Sequence, residues 1–335
     1  MKNFFLKLGI CALALTGAAE ALAQEQVIQL FAHRGSRFEY DENTLPAFKA
    51  SYDAGLRGFE TDIRMTRDGE LVISHDETLA RLTPCKRVVE TMTADEIRKV
   101  KTNQGNDLIF LPELVDFFAD KDNVYIEFEM KTKPVESYPE ERLREYCEKV
   151  YNTVMAKKPA NSLYLFTSSD KRALKMMRSL HPDVDLLLII SKPICEETIL
   201  EAIDMGIKRL GCRIEGTSKA MVDLAHKAGL YVSLWPGQSP EEFMRGAYLG
   251  ADALNSDRAV EVKNWLDKNA PWIKYKSRPV RRRPVRRATC ITGTFGRVRS
   301  LHYPRRKCFR RGYSVCGSPD PFAGACAAAF PASGE

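Results

Sequence analysis

Histidine is scarce in this chain, with five in 335 residues, and tryptophan is scarcer, with three. Any chemistry that needs an imidazole must therefore come from His33, His75, His181, His226 or His302. Past the N-terminal segment there is no apolar run approaching the ~20 residues a transmembrane helix requires, which excludes a helical membrane protein as the body of the chain. The nine cysteines lack any C-x2-C or Cys/His spacing, which argues against a structural zinc site. Cys11 lies in the N-terminal apolar run, Cys85, Cys147, Cys195 and Cys212 in the body, and the remaining four near the C-terminus. Export would permit disulfides, but the sequence gives no pairing, and buried free thiols are the simpler expectation for the body.

A uniformly basic surface is also missing, although the net charge of +7 suggests one. From Lys274 onward there are 15 Lys and Arg against Asp320 and Glu335, so the last stretch carries +13 and the rest −6. The globular part is acidic, and this argues against nucleic acid as a partner. Residues 273–335 change character altogether. Arg278–Arg287 is an Arg/Pro run, followed by Gly-, Ser-, Cys- and Ala-rich sequence without periodicity. Such a segment buries too little apolar surface to order itself. It reads as a low-order tail, either a foreign or out-of-frame ending or a basic arm for an anionic surface. At the other end, Lys2 and Lys7 precede an apolar stretch, Leu8–Ala19, and Ala21-Leu22-Ala23 has the small-x-small form of a cleavage site. Residues 1–23 are expected to be a signal peptide cut after Ala23, sending residues 24–272 to the periplasm or the medium.

What the body does contain is alternation. Strands are expected at Val27–Ala32, Arg57–Ile63, Val124–Met130, Leu163–Thr167, Val184–Ile190, Lys208–Cys212, Leu230–Trp235 and Ala251–Asn255. Helices are expected at Thr44–Ala54, Pro139–Ala156, Lys171–Leu180, Glu196–Met205, Ser218–Ala228, Pro240–Tyr248 and Ala259–Lys268. Ser239 before Pro240-Glu241-Glu242 supplies the polar cap, first-turn proline and acidic start of a helix. Eight β–α repeats argue for parallel strands closed into a (β/α)8 TIM barrel. Between the second and third strands, Leu71–Asp120 holds an insertion with a hairpin arm, Glu70–Ser74, and short helical pieces at Thr93–Val100 and Pro112–Ala119.

The residues suited to chemistry sit at strand ends. Glu60 and Asp62 are two apart on one strand, so their carboxylates project from the same face. Glu129, near the end of the next barrel strand, adds a third oxygen ligand. Three carboxylates without a histidine pair or thiols describe a site for one hard divalent cation, Ca2+ or Mg2+. Arg34 offers a planar fork to phosphate oxygens and Lys131 a point charge. His33 and His75 follow strands, and two histidines can take and give the protons that phosphodiester cleavage requires near neutral pH. His181 and His226 lie in helix-like surroundings with no evident charged partner.

The ordered set of motifs resembles the glycerophosphodiester phosphodiesterase family. It comprises His33-Arg34-Gly35, Glu42-Asn43-Thr44, Ala47-Phe48, Gly55, Gly58, Glu60-x-Asp62, Thr66-x-Asp68-Gly69, His75-Asp76, Thr78-Leu79 and Arg81-x-Thr83. Leu111-Pro112-Glu113-Leu114, Glu129-Met130-Lys131, Ser168-x-Asp170, Trp235 and Gly250-Ala251-Asp252 continue it, over about residues 27–267. The resemblance implies a TIM barrel with its site at the C-terminal rim, metal-dependent hydrolysis of small glycerophosphodiesters to glycerol 3-phosphate and an alcohol, and catalysis by His33 and His75. Glu60, Asp62 and Glu129 would hold the metal, Arg34 and Lys131 the phosphate, and Trp235 a pocket wall, while Asn43 braces the His33 loop. The sequence departs from the family at Trp235-Pro236-Gly237-Gln238 and Ser256-Asp257-Arg258-Ala259, and Glu127 adds a carboxylate on the inward face of its strand. These departures leave the alcohol group of the substrate open. Three rivals stand beside this expectation: a phospholipase C-like or other phosphodiesterase on intact lipids, against which the polar Thr83–Gly105 stretch weighs, a catalytically silent binding barrel, and a nucleic-acid or membrane-surface binder driven by the tail.

Overall fold

The computed structural model describes residues 27–276. The expected signal peptide and the tail beyond Lys276 lie outside the described residues.

Eight strands form a closed parallel barrel, in the ring order β1 (Ile28–Ala32), β2 (Gly58–Met65), β4 (Tyr125–Met130), β5 (Leu163–Ser168), β6 (Leu186–Pro193), β7 (Arg209–Arg213), β8 (Tyr231–Gly237), β9 (Ala253–Ser256) and back to β1. Each expected strand is present within a few residues of its predicted limits. Two more strands decorate the ring. β3 (Leu71–Ile73) runs antiparallel to β2 as the expected hairpin arm, and β10 (Tyr275–Lys276) pairs with the start of β1. β10 was not legible beforehand, because two residues cannot establish a period and they fall in a stretch read as tail.

The outer layer contains α1 (Leu45–Asp53), α3 (Leu111–Phe118), α4 (Glu140–Ala156), α5 (Lys171–Leu180), α6 (Glu196–Asp204), α7 (Lys219–Lys227), α8 (Pro240–Leu249) and α9 (Ala259–Asn269), while the four-residue α2 (Ala94–Ile97) lies in the insertion. Local chemistry starts them where the sequence indicated. Ser239 Oγ accepts the Glu242 amide at the head of α8, and Thr93 and Glu96 form a reciprocal capping box on α2. The insertion packs its own small core from Val72, Leu79, Val89, Met92, Ile97, Leu108 and Phe110.

Strand alternation sorts side chains into two cores. On β4, Ile126, Phe128 and Met130 join the large core beneath the helices, whereas Tyr125 clusters with Phe31, Leu165, Leu187 and Ala253. The period of two therefore turns Tyr125, Glu127 and Glu129 into the barrel. Parallel pairing of β2 with β4 sets Glu60 beside Glu127 and Asp62 beside Glu129. Register alone thus gathers four carboxylates on adjacent strands.

The four cysteines among the described residues are free. Cys147 and Cys212 are buried, and burial pushes both thiols up to about 12. Cys85 and Cys195 are half-buried, so the expectation of buried thiols holds for two of the four. No helix among the described residues is long and apolar enough to cross a membrane.

Candidate active site

The C-terminal end of β1 breaks into a tight turn at His33–Gly35, in which Arg34, Gly35 and Ser36 have φ of 52°, 78° and 73°. A left-handed conformation at non-glycine residues costs energy, of order 1 kcal/mol or more each. The turn is held by surrounding bonds. Ser36 and Arg37 amides donate to the His33 carbonyl, and the Asn43 amide donates to the Arg34 carbonyl at 3.0 Å. Gly35 is required sterically as well, since a Cβ there would stand 3.0 Å from Ala47 Cβ. The turn lifts His33 into the barrel mouth and sends the Arg34 amide to Glu60 Oε2 at 3.1 Å.

His33 places Nδ1 2.5 Å from Asp257 Oδ1, just past β9, and Nε2 3.8 Å from Glu60 Oε2. Burial lowers the imidazole below its ordinary value, and the bond to Asp257 opposes that shift. Arg37 grips both oxygens of Asp257 at 2.6 and 2.8 Å. His75 follows β3, its carbonyl receiving Arg64 Nε and Nη2 at 3.2 and 3.1 Å. Its Nδ1 lies 2.7 Å from Asp76 Oδ1, and a chain of ion pairs runs from Asp76 to Arg81, from Arg81 to Glu42 and from Glu42 to Arg34. The loops that carry the two histidines are therefore tied together by charge.

Glu60, Asp62 and Glu129 each offer an oxygen, and these lie within 4.8 Å of one another. Asn43 Nδ2 donates to Asp62 Oδ2 at 2.9 Å and Arg34 Nε lies 3.3 Å from the same oxygen. Lys131 Nζ donates to Glu129 at 2.7 Å and stands 3.3 Å from Asp62 Oδ1. Burial, with Asp62 and Glu129 close by, raises Glu60 well above the usual carboxylate range. For Asp62 burial acts the same way, but Lys131 and Arg34 outweigh it and hold the carboxyl far below that range. Glu60 Oε1 and Asp62 Oδ1 are buried and accept no hydrogen bond. Glu60 Oε1 without a hydrogen bond, Asp62 Oδ1 facing only the Lys131 ammonium at 3.3 Å, and a third carboxylate in reach fit a hard divalent cation.

A cavity of about 190 Å3 opens over this set, lined by His33, Arg34, Glu60, His75, Glu129 and Lys131, with Trp235 in its wall. Asp62 stands behind them, wholly buried. The sequence-predicted residues thus converge. Asn43 braces both the Arg34 carbonyl and Asp62, and Thr61 Oγ1 donates to its side-chain oxygen at 3.2 Å.

Sequence reading missed Asp257 as the partner of His33, and the Asp76–Arg81–Glu42 link. Glu42, Asp76 and Arg81 belonged to motifs, but nothing in their spacing says they pair. Two other expectations need correction. His226 has a carboxylate partner, Asp252 Oδ2 at 2.9 Å, and His181 has Glu148 at 3.3 Å and stacks on Tyr151 at 3.4 Å between ring centroids. Neither pair lines the cavity.

A family model described as the glycerophosphoryl diester phosphodiesterase family matches residues 33–261. Among curated relatives, a glycerophosphodiester phosphodiesterase of Bacillus altitudinis is 25% identical over 248 residues, covering 70% of this chain and 98% of its own length. One from Caldanaerobacter subterraneus subsp. tengcongensis is 27% identical over 248 residues, covering 71% and 98%. Among solved structures, an Oleispira antarctica phosphodiesterase in complex with the product sn-glycerol-3-phosphate superposes with a TM-score of 0.66 at 21% identity, covering 72% of this chain and 98% of that one.

Proposed function

This chain belongs to the glycerophosphoryl diester phosphodiesterase family, and from that premise we propose that it hydrolyses glycerophosphodiesters to glycerol 3-phosphate and an alcohol, with His33 and His75 as the acid–base pair and a divalent cation as cofactor. One observation carries the reading. Two histidines from separate loops open into one cavity beside Glu60 and Glu129, whose oxygens lie within 4.8 Å of each other and of Asp62. The product bound to the Oleispira relative supports glycerol 3-phosphate as the product for this chain.

Glu60, Asp62 and Glu129 would hold Ca2+ or Mg2+, which supplies neutralisation of phosphate charge and acidification of a nearby hydroxyl. Arg34 and Lys131 bind the non-bridging phosphate oxygens and stabilise the charge that builds there. One histidine takes a proton from the attacking oxygen, of water or of the substrate's own neighbouring hydroxyl. The bond from phosphorus to the alcohol oxygen breaks, and the other histidine returns a proton to that oxygen. Asp257 and Asp76 each hold a ring Nδ1, so Nε2 is the nitrogen left for these transfers. The position of His33 and Arg34 just past β1 and of Lys131 just past β4 supports a reaction at the C-terminal rim, and the basic start, the apolar run and Ala21-Leu22-Ala23 support export of the enzyme.

His33→Ala and His75→Ala should each lower hydrolysis of glycerophosphocholine by ~10²–10⁴-fold. With a p-nitrophenyl leaving group, which departs without a proton, the variant lacking the acid recovers much of its rate. Wild-type rates in both variants would sink the reading.

A further inference from the structure

None of residues 76–120 lines the cavity over the metal ligands, although the insertion they form follows directly on His75. Any contribution of the insertion to the site therefore passes through residues that touch it, and the contacts of Arg64 show one route. Arg64 lies on β2 two residues beyond Asp62, so the period of two turns it to the same face as Glu60 and Asp62, one step nearer the rim. It is buried, and every nitrogen of its guanidinium donates. Nε and Nη2 both reach the His75 carbonyl, at 3.2 and 3.1 Å, while Nη1 donates to the Lys133 carbonyl at 3.0 Å and to Glu90 Oε1 at 2.8 Å.

Glu90 belongs to the insertion and is 8% exposed. Its neighbours Val89 and Met92 are part of the insertion's own core. Two backbone bonds dock this stretch on the loop that follows His75. The Val89 amide donates to the Glu77 carbonyl at 2.9 Å, and the Leu79 amide to the Arg87 carbonyl at 3.1 Å. From the barrel side, the Tyr138 hydroxyl donates to Glu90 Oε1 at 2.9 Å and accepts the Met65 amide at 3.0 Å. The carboxylate that meets Arg64 is thus fixed by the insertion and by the barrel together.

A buried ion pair is a poor way to hold a fold, since apolar residues of similar volume do as well or better. This one aims two nitrogens of a rigid fork at a single carbonyl, and that carbonyl belongs to one of the two proposed acid–base residues. Asp76 holds the His75 ring, and Arg64 holds its main chain.

We propose that Arg64, held by Glu90, is a positioning residue for His75, and that the insertion serves the reaction by fixing this histidine rather than by walling the pocket. The proposal rests on the phosphodiesterase reading above and on the role of His75 in it. Its test is steady-state hydrolysis of glycerophosphocholine by the full-length, metal-loaded protein. Arg64→Lys keeps the charge but replaces the fork with one point donor. It should lower kcat roughly tenfold, as a small misplacement of a reacting group does, with KM little changed. Glu90→Gln should act in the same direction by a smaller factor. The comparison that separates positioning from folding is made in a His75→Ala background. There Arg64→Lys should lower the residual rate no further, because the residue it positions is gone. A full tenfold loss in that background, an unchanged kcat in Arg64→Lys alone, or a loss confined to KM would overturn the proposal and leave the hydrolase standing. If a melting curve shows Arg64→Lys unfolded, Glu90→Gln in the two backgrounds decides by the same criteria. No hydrolysis by the wild type would overturn the phosphodiesterase reading, and a wild-type rate in His75→Ala the role of that histidine, each taking the proposal with it.

Discussion

His33 holds its ring nitrogens in opposite surroundings, Nδ1 on Asp257 and Nε2 facing Glu60 across 3.8 Å. Asp257 is buried, yet His33 and Arg37 hold its carboxyl well below the ordinary range, so it stays ionised against the ring. An ionised carboxylate fixed by a bidentate arginine keeps the proton on Nδ1 and keeps the ring in one orientation. Asp257→Asn should therefore lower kcat on glycerophosphocholine by roughly a hundredfold, within the span of acid–base contributions, with a much smaller change in KM. Steady-state kinetics checks this, and a fall confined to KM would contradict it. Glu60, Asp62 and Glu129 were legible in the sequence because a period of two and a shared register decide which way they point. Asp257 was not, because 224 residues separate it from His33, and only the closing of the ring brings β9 alongside β1.

At the scale of elements, that closing depends on a thin seam. β1 and β2 share one ladder pair, Ala32 with Phe59, while β2 and β4 share six. Gly58 opens β2 at the seam, where a Cβ would meet the Leu30 carbonyl oxygen at 2.3 Å and Phe31 Cβ at 2.8 Å. Backbone contact of that kind cannot be relieved by a side-chain rotation. Gly58→Val should cost about 1–3 kcal/mol or more, as overpacking does. It should lower the thermal midpoint and loosen His33 against Glu60 together, so activity falls at temperatures where the variant is still folded. A midpoint equal to wild type in a melting experiment would contradict this. The amphipathic helices and their polar caps were readable from sequence because each is specified within a few residues. The short β10 and the ion-pair chain from Asp76 to Arg34 were not, because both exist only through partners distant along the chain.

For the molecule as a whole, one pH-sensitive tie lies away from the cavity. His226 on α7 bonds Asp252, which also accepts the Val232 amide at 2.8 Å, so helix and barrel meet at one carboxylate. The Asp252 bond raises the imidazole above its ordinary 6.5, burial opposing. A raised folded value means the tie stabilises fully below the unfolded value, about 6.5, and is lost as pH rises through the raised one. His226→Gln should thus cost more stability at a pH of about 5.5 than at about 9, measured by urea unfolding, and the reverse order would contradict the assignment. At the N-terminus, an exported enzyme should be recovered with Gln24 as its first residue, which N-terminal sequencing of the secreted or periplasmic protein would detect, against recovery of the intact Met1 chain. The most direct test of the whole is release of glycerol 3-phosphate from glycerophosphocholine by the full chain, with and without EDTA, beside His33→Ala. The structure predicts release that EDTA stops, that added Mg2+ or Ca2+ restores, and that His33→Ala loses. Release undiminished by EDTA or by the substitution would contradict a metal-dependent phosphodiesterase working through His33.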